Sequence, residues 1–485
     1  MKKREYFPLI SALEEIAGKN KIMMHMPGHK GGKGFSESFR DNLLRFDLTE
    51  LPGLDNLHKP SGVIGRSMDA CAKAFGAIKS FFLLNGSTSG IHAMLLSCFK
   101  KGDRVLVSRN CHYSVINGLI LFEIEPVFVM PCYNEEWQLV IPAGAEEWEK
   151  ALYNNPDVKG AIVTSPDYYG LCAPVSELAG MMHASGKLLL VDEAHGAHFA
   201  FSRKFPPTAL SSGADMAVQS FHKTLPALTQ AAVLHVGSTR VDIGTVQKAV
   251  SMLTTTSPSY MIMASIEYAC GLVGTEGEKI YGHLLERLEI MKKELSAMDK
   301  LRLIPDELNG FERDPSRIVV NTANSDISGF DLARILSSEY GIYAEMADEY
   351  NVVFITTLSD GEGEISALQQ SLKEIDRKIG RGKRGTRSEK IFYSGGCIMP
   401  DRWSYLQCSV NIPLIESEGY RSAGIVTPYP PGIPVLCPGE TISKEHIGCL
   451  SRLYLAGADI HGLMGAGRAE DGGNLEDLLI SVLPR

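Results

Sequence analysis

Leu188-Leu189-Leu190-Val191-Asp192-Glu193-Ala194-His195-Gly196 is the stretch on which the fold turns. Four aliphatic residues in succession, with no polar residue between them, describe a strand covered on both faces. The run ends on an aspartate, so a carboxylate is expected where a buried strand emerges. Six further apolar runs surround it: Phe81–Leu84, Val105–Ser108, Val127–Met130, Ala161–Thr164, Met216–Val218 and Ala232–Val236. Helical stretches separate most of them. This alternation predicts an α/β fold with a seven-stranded, mostly parallel sheet. Ligands of such sheets bind beyond the carboxyl ends of the strands. The residues directly after each run are therefore the guide to function.

Four run ends carry chemistry. After the first comes Asn85-Gly86-Ser87-Thr88-Ser89-Gly90. Gly86 allows a tight turn, and Ser87 and Thr88 open a helix whose backbone N–H groups suit an anion. Read alone, the same string is an ordinary helix cap. After the second run comes Arg109-Asn110-Cys111-His112-Tyr113, where His112 is placed to stack on a planar ring or to serve structure alone. Asp192 closes the fifth run, and a buried carboxylate there is explained by a cationic heterocycle that it keeps protonated. The Asp-Glu-Ala-His string also occurs in helicases, but the Gly-x-x-x-x-Gly-Lys-Ser/Thr phosphate loop they require is missing. Gln219-Ser220-Phe221-His222-Lys223-Thr224 comes after the sixth run. An amine desolvated there acquires a depressed pKa and can form a Schiff base. Taken as four adjacent strand ends, these strings supply a phosphate cradle, a stacking ring, a partner for a ring nitrogen and an amine nucleophile. Pyridoxal phosphate needs all four.

The rest of the chain is consistent with a globular enzyme. It has 485 residues with 48 basic and 57 acidic side chains, a net charge of −9, and 44% hydrophobic residues. That balance offers no positive face for nucleic acid or an anionic membrane, and no window approaches the length of a membrane span. Ten cysteines stand singly without a Cys-x-x-Cys pair. Structural zinc is therefore not expected, no metal site is assigned, and reduced thiols point to the cytoplasm. Tyr6–Ala17 has the pattern of a short amphipathic helix. The pattern changes after residue 240 to a long helix over Ser259–Asp299, strands at Ile318–Asn321 and Val352–Thr356, and helices at Phe330–Glu339 and Ile365–Ile379. The basic segment Arg377–Lys390 holds seven Lys/Arg against one Glu. Without interleaved aromatic residues it is taken as a solvated linker. The expected divisions are an N-terminal segment (1–55), a large cofactor-binding domain (56–245), a small α+β domain (246–378) and a C-terminal domain (379–485).

The sequence resembles the Orn/Lys/Arg decarboxylase family of fold-type I pyridoxal-phosphate enzymes over nearly its whole length. The likeness rests on Met26-Pro27-Gly28-His29-Lys30-Gly31-Gly32, on Thr49-Glu50-Leu51-Pro52-Gly53-Leu54-Asp55-Asn56-Leu57-His58, and on the strings around Ser87, Asp192 and Lys223. It closes with Pro428-Tyr429-Pro430-Pro431-Gly432-Ile433-Pro434 and Pro438-Gly439-Glu440. The resemblance implies that Lys223 carries the cofactor as a Schiff base and that Asp192 pairs with the pyridine nitrogen. His112 would stack on the ring, with Ala194 or His195 on its other face. Gly86, Ser87, Thr88, Ser220 and His222 would hold the phosphate. The family usually has a lysine after the stacking histidine, where this chain has Tyr113. The PGHKGG string begins near residue 26, which marks the short, biosynthetic type rather than the longer acid-induced members with their large rings.

The implied reaction is decarboxylation of a basic amino acid for polyamine synthesis. Arginine to agmatine is expected first, with lysine to cadaverine or ornithine to putrescine as alternatives. The cationic end of such a substrate needs a carboxylate. Glu440 and Asp55 are each either that group or a local cap, and His29 is a further substrate-side residue. Other fold-type I chemistry, such as transamination or β-elimination, is the alternative enzyme class, and a non-enzymatic pyridoxal-binding homologue is the third. Fold-type I sites are usually completed by a second subunit. A homodimer or higher oligomer is therefore expected, with residues 27–32 as an exchanged or interface segment.

Overall fold

The computed structural model describes residues 7–19, 21–382, 402–407, 409–429, 432–465 and 473–484. Each of the seven apolar runs is a strand: β1 (Lys79–Leu83), β2 (Arg104–Ser108), β3 (Glu125–Val129), β4 (Gly160–Thr164), β5 (Leu188–Asp192), β6 (Met216–Gln219) and β7 (Ala232–Val236). They form one sheet in the order β1-β7-β6-β5-β4-β2-β3. Within it β7 is antiparallel to both β1 and β6, and the other pairings are parallel. The four functional strand ends are therefore not neighbours. β7 separates β1 from β6, and β4 separates β5 from β2. Only β5 and β6, which carry Asp192 and lead to Lys223, lie side by side. Spacing along the chain does not report strand order, because a strand can be inserted between two earlier ones.

Helix α1 (Gly86–Cys98) brings the Ser87–Thr88 turn against the sheet. Its close approach requires a glycine. A Cβ on Gly90 would stand 2.4 Å from Val218 Cγ2 and 2.6 Å from Leu83 Cδ1. Helix α2 (Tyr113–Phe122) starts just past β2 and is capped by His112. The predicted long helix is α3 (Tyr260–Leu295), capped by the Ser259 hydroxyl. It leads to a four-stranded antiparallel sheet containing β8 (Arg317–Asn321) and β9 (Asn351–Ile355). The helices Gly329–Glu339 and Glu362–Lys378 accompany that sheet. The two strands and two helices lie within one to three residues of their predicted positions, and the long helix ends a few residues early. The amphipathic N-terminal helix spans Pro8–Ala17, and no residue of it is buried. Residues 383–390 of the basic segment, and Pro430 and Pro431, lie outside the described residues. Among those described, no helix is long and apolar enough to cross a membrane.

The PGHKGG stretch folds back on its own chain. Gly28 N–H donates to His222 O at 2.7 Å, and the Thr357 and Ser359 hydroxyls both donate to Gly28 O at 2.8 Å. The Lys30 ammonium is buried. It donates to His25 O and Ile355 O, with Asp360 at 3.7 Å. The stretch thus bridges the Lys223 turn and the small sheet.

Arg109, just past β2, ties the C-terminal part to the large sheet. Its guanidinium contacts both Glu440 oxygens at 3.0 and 3.1 Å and donates to Pro434 O and Val435 O. Neither side chain of this ion pair is exposed. Cys437 N–H takes a further place on the carboxylate at 2.7 Å. This corrects one expectation: Glu440 is neither a substrate contact nor a helix cap, because its oxygens are held by Arg109 and the Cys437 amide. Removing one member leaves a buried charge unpaired, a loss of about 3–5 kcal/mol. Glu440→Ala is expected to reduce the unfolding free energy of the full chain by that amount in urea titration.

Candidate active site

The ends of β5 and β6 place an acid and an amine together. Asp192 is almost wholly buried. It accepts a hydrogen bond from Ala194 N–H at 3.2 Å. Burial pushes its carboxyl up, while the charge of Lys223 pulls the other way. Lys223 lies in the short helix Phe221–Thr224 that comes after β6. Burial lowers its amine to about 8, against the attraction of Asp192 and Glu345. A carboxylate with a single neutral donor in a desolvated site needs a cationic N–H partner. A protonated pyridine nitrogen is such a partner.

The amine has close neighbours. His195 Nε2 is 2.9 Å from Lys223 Nζ, and the Tyr168 ring centroid lies 5.6 Å from Nζ. Tyr168 also packs against His195, with ring centroids 4.5 Å apart. His112 is half-buried with its Nδ1 turned to the Ser114 hydroxyl at 2.8 Å. Burial lowers its pKa to about 3, with Lys223 adding to the effect. A neutral imidazole is the form suited to flat stacking on a cationic ring.

The phosphate side is built at the start of α1. Gly86 has φ +69°, and its N–H donates to Gln230 O. Asn85 contributes no side-chain cap, so the first turn keeps its anion-binding amides for another partner. The Ser220 hydroxyl donates to Ser87 Oγ at 2.9 Å, joining the β6 end to this turn. Thr88 is half-buried beside them. His222 sits across the turn with Nδ1 2.9 Å from Ala231 O. Carbonyls only accept, so Nδ1 carries the proton, and Nε2 is left as an acceptor while the ring is neutral. Burial lowers this ring to about 4. These residues fit pyridoxal phosphate: an uncapped helix start with hydroxyls, an underpartnered buried acid and a desolvated amine.

The structure separates Asp55 from this cluster and leaves His29 at its margin. Asp55 accepts N–H groups of Ser61, Gly62 and Ile64 at 2.9, 2.6 and 2.7 Å. Its carboxylate therefore caps the helix Val63–Phe75 and has no hydrogen bond to the site. His29 Nδ1 accepts from Gly32 N–H, and its ring stacks on Phe35. It stays close enough for its charge to act on His222. Sequence reasoning missed three residues. Tyr168 comes after β4, past the Ser165–Pro166 turn. Arg317 opens β8 and is buried. Glu345 reaches Lys223 and Lys30 electrostatically and accepts Met26 N–H at 2.9 Å. Arg317 stands directly before a predicted strand, a signal that could have drawn attention. Tyr168 and Glu345 carry no local signal.

Comparison with known proteins places the chain in a family. Residues 7–310 match the Orn/Lys/Arg decarboxylase major domain, and residues 407–460 match the C-terminal domain of the same family. The chain is 33% identical to an arginine decarboxylase of Halalkalibacterium halodurans, covering 95% of this chain and 96% of that protein. It is 31% identical to an arginine decarboxylase of Bacillus subtilis, covering 94% and 95%. The fold is similar to lysine decarboxylase A of Pseudomonas aeruginosa, with TM-score 0.77 and 22% identity over 99% of this chain and 81% of that one. With both parts of the family pattern present and full-length relatives above 30% identity, the chain belongs to the Orn/Lys/Arg decarboxylase family.

Proposed function

We propose that arginine is the preferred substrate of this pyridoxal-phosphate-dependent basic-amino-acid decarboxylase, with agmatine and CO2 as products for polyamine synthesis. Lysine and ornithine are the alternative substrates. The observation that carries the catalytic assignment is the shared burial of Asp192 and Lys223 at neighbouring strand ends. The preference for arginine is supported by the names of the full-length relatives.

When bound, the cofactor ring takes up the electron pair left at Cα as CO2 departs. Every other requirement falls on the chain. Asp192 holds a proton at the ring nitrogen, which makes the ring an effective acceptor. Lys223 supplies the amine that anchors the cofactor and is displaced by the substrate's amino group. His112 would cover one ring face and exclude water, with Ala194 or His195 on the other. Gly86, Ser87, Thr88, Ser220 and His222 fix the phosphate and so orient the ring. The bond that breaks is Cα–carboxylate, and the proton that replaces CO2 is delivered to Cα. For the substrate's cationic end we assign Glu345 in place of Glu440 and Asp55, because its half-buried carboxylate acts on Lys223. At least a homodimer completes the assembly. Leu48 and Val63 stand exposed in an apolar hollow of 290 Å³ also lined by Phe46, Leu54 and Met263, a surface suited to a second copy. Eight cysteines among the described residues form no disulfide, which supports action in the cytoplasm.

Purified protein with pyridoxal phosphate is expected to release CO2 fastest from arginine, measured side by side with lysine and ornithine. Release from none of the three would overturn the decarboxylase assignment, and keto acid in place of amine would favour transamination. Lys223→Ala is expected to abolish both turnover and the Schiff-base absorbance near about 420 nm. Asp192→Asn is expected to keep the band and lower kcat by about 100-fold or more. Glu345→Gln is expected to raise KM for arginine, removing a charged contact of about 1.5–3 kcal/mol, with the cofactor band unchanged.

A further inference from the structure

Arg317 is a cation from the small sheet placed inside the site. It is 1% exposed, and its guanidinium is held by Asp314 at 4.0 Å and by Tyr168 O at 3.4 Å. Both terminal nitrogens also approach His195 Nδ1, at 3.4 and 3.3 Å. Asp314 in turn pairs with His198 Nε2 at 3.1 Å, so the arginine is fixed from behind. The other nitrogen of His195 faces Lys223 at 2.9 Å. The five residues form a file, four of them buried and the last half-buried: His198, Asp314, Arg317, His195, Lys223.

A guanidinium has donors only and keeps its charge. His195 Nδ1 must therefore offer its lone pair, and in the neutral ring the proton resides on Nε2. That N–H points at Lys223 Nζ. An ammonium has no lone pair and cannot accept it, whereas a free amine can. We infer that Arg317 is a positioning residue that acts through His195: it fixes the imidazole proton on Nε2, and that N–H holds Lys223 as the free amine. This rests on the assignment of Lys223 as the cofactor-binding amine.

The groups facing Lys223 divide into two sets. Asp192 and Glu345 favour the ammonium, while burial and Arg317 oppose it. His112, His195 and His222 are themselves held neutral by burial, with Lys223 adding to the effect. The Arg317–His195 link tips this balance toward the nucleophilic form needed for attack on an aldehyde. Because Arg317 opens β8, correct docking of the small sheet is a condition for a reactive lysine.

The test monitors pyridoxal phosphate uptake by the cofactor-stripped, full-length chain, read as growth of absorbance near about 420 nm across pH. Only the free amine attacks the aldehyde, so the rate titrates with Lys223. The wild-type midpoint is expected near about 8. Arg317→Met is expected to raise it by about one unit, an approximately tenfold slower uptake at pH 7, and Arg317→Lys to restore most of the difference. In a His195→Phe background the same Arg317→Met change is expected to give a smaller shift, only the part that direct repulsion between the two cations leaves. Equal shifts in both backgrounds would show simple charge repulsion and overturn the proposal, as would an unchanged midpoint in folded Arg317→Met protein. Should that variant not fold, histidine-selective nitrogen-15 NMR of the wild-type chain decides, with His195 assigned by its loss in His195→Gln. A protonated Nδ1 would refute the inference. Failure of wild-type protein to form any band would instead remove the assignment of Lys223, which keeps the two failures distinct.

Discussion

Burying a carboxylate and an amine at the ends of two neighbouring strands is the constraint around which the molecule is arranged. Desolvation drives Asp192 and Lys223 toward their neutral forms, and the charge of each restores the other. The surrounding histidines do not compete for the acid, since burial keeps His112, His195 and His222 below their ordinary range. Glu193, next to Asp192, is turned away. It accepts N–H groups from Gln219 and Ala209, and Gln219 is linked through His235 to Ser80 within the sheet. Two consecutive acids thus have separate fates: one acts on Lys223 and the other braces the sheet.

The large sheet was legible because its strands are buried on both faces, and such strands appear as unbroken apolar runs. The same property made the strand ends readable. A polar residue soon after an apolar run lies at the carboxyl edge of the sheet, which is why Asp192, Lys223 and His112 were expected at that edge. The small sheet was readable to within a few residues for the same reason, since Arg317–Asn321 and Asn351–Ile355 are buried along their whole length.

What stayed hidden depends on long-range pairing. Strand order cannot be read from spacing, so β7 and β4 were not seen to separate the functional ends. Glu440 in its proline-rich setting invited assignment to the substrate, but its true partner, Arg109, lies 331 positions away in the chain. Asp55 takes the other reading offered for it, the local cap. Its partners are six to nine residues downstream, and a carboxylate ahead of a helix start is a cap more often than a ligand. Arg317 and Tyr168 enter the site only because the small sheet and the β4 loop converge on it, which no local pattern encodes.

The antiparallel β7 has a chemical consequence at the phosphate end. A parallel strand would leave the site edge there, whereas β7 enters at it, and the residues just ahead of it arrive with carbonyls free. Gln230 O takes the Gly86 N–H and Ala231 O takes His222 Nδ1. One inserted strand therefore orients both the helix turn and the histidine proposed to hold the phosphate. It also fixes the histidine's proton on the side away from the ligand. A phosphate oxygen at Nε2 then meets a lone pair unless a proton lies between them. With the ring lowered to about 4 in the protein alone, that proton has to come with the phosphate monoester or be taken up as it binds. In the proposed assignment, cofactor capture at His222 is thus coupled to a proton, while the α1 amides and the serine hydroxyls bind the phosphate without that condition.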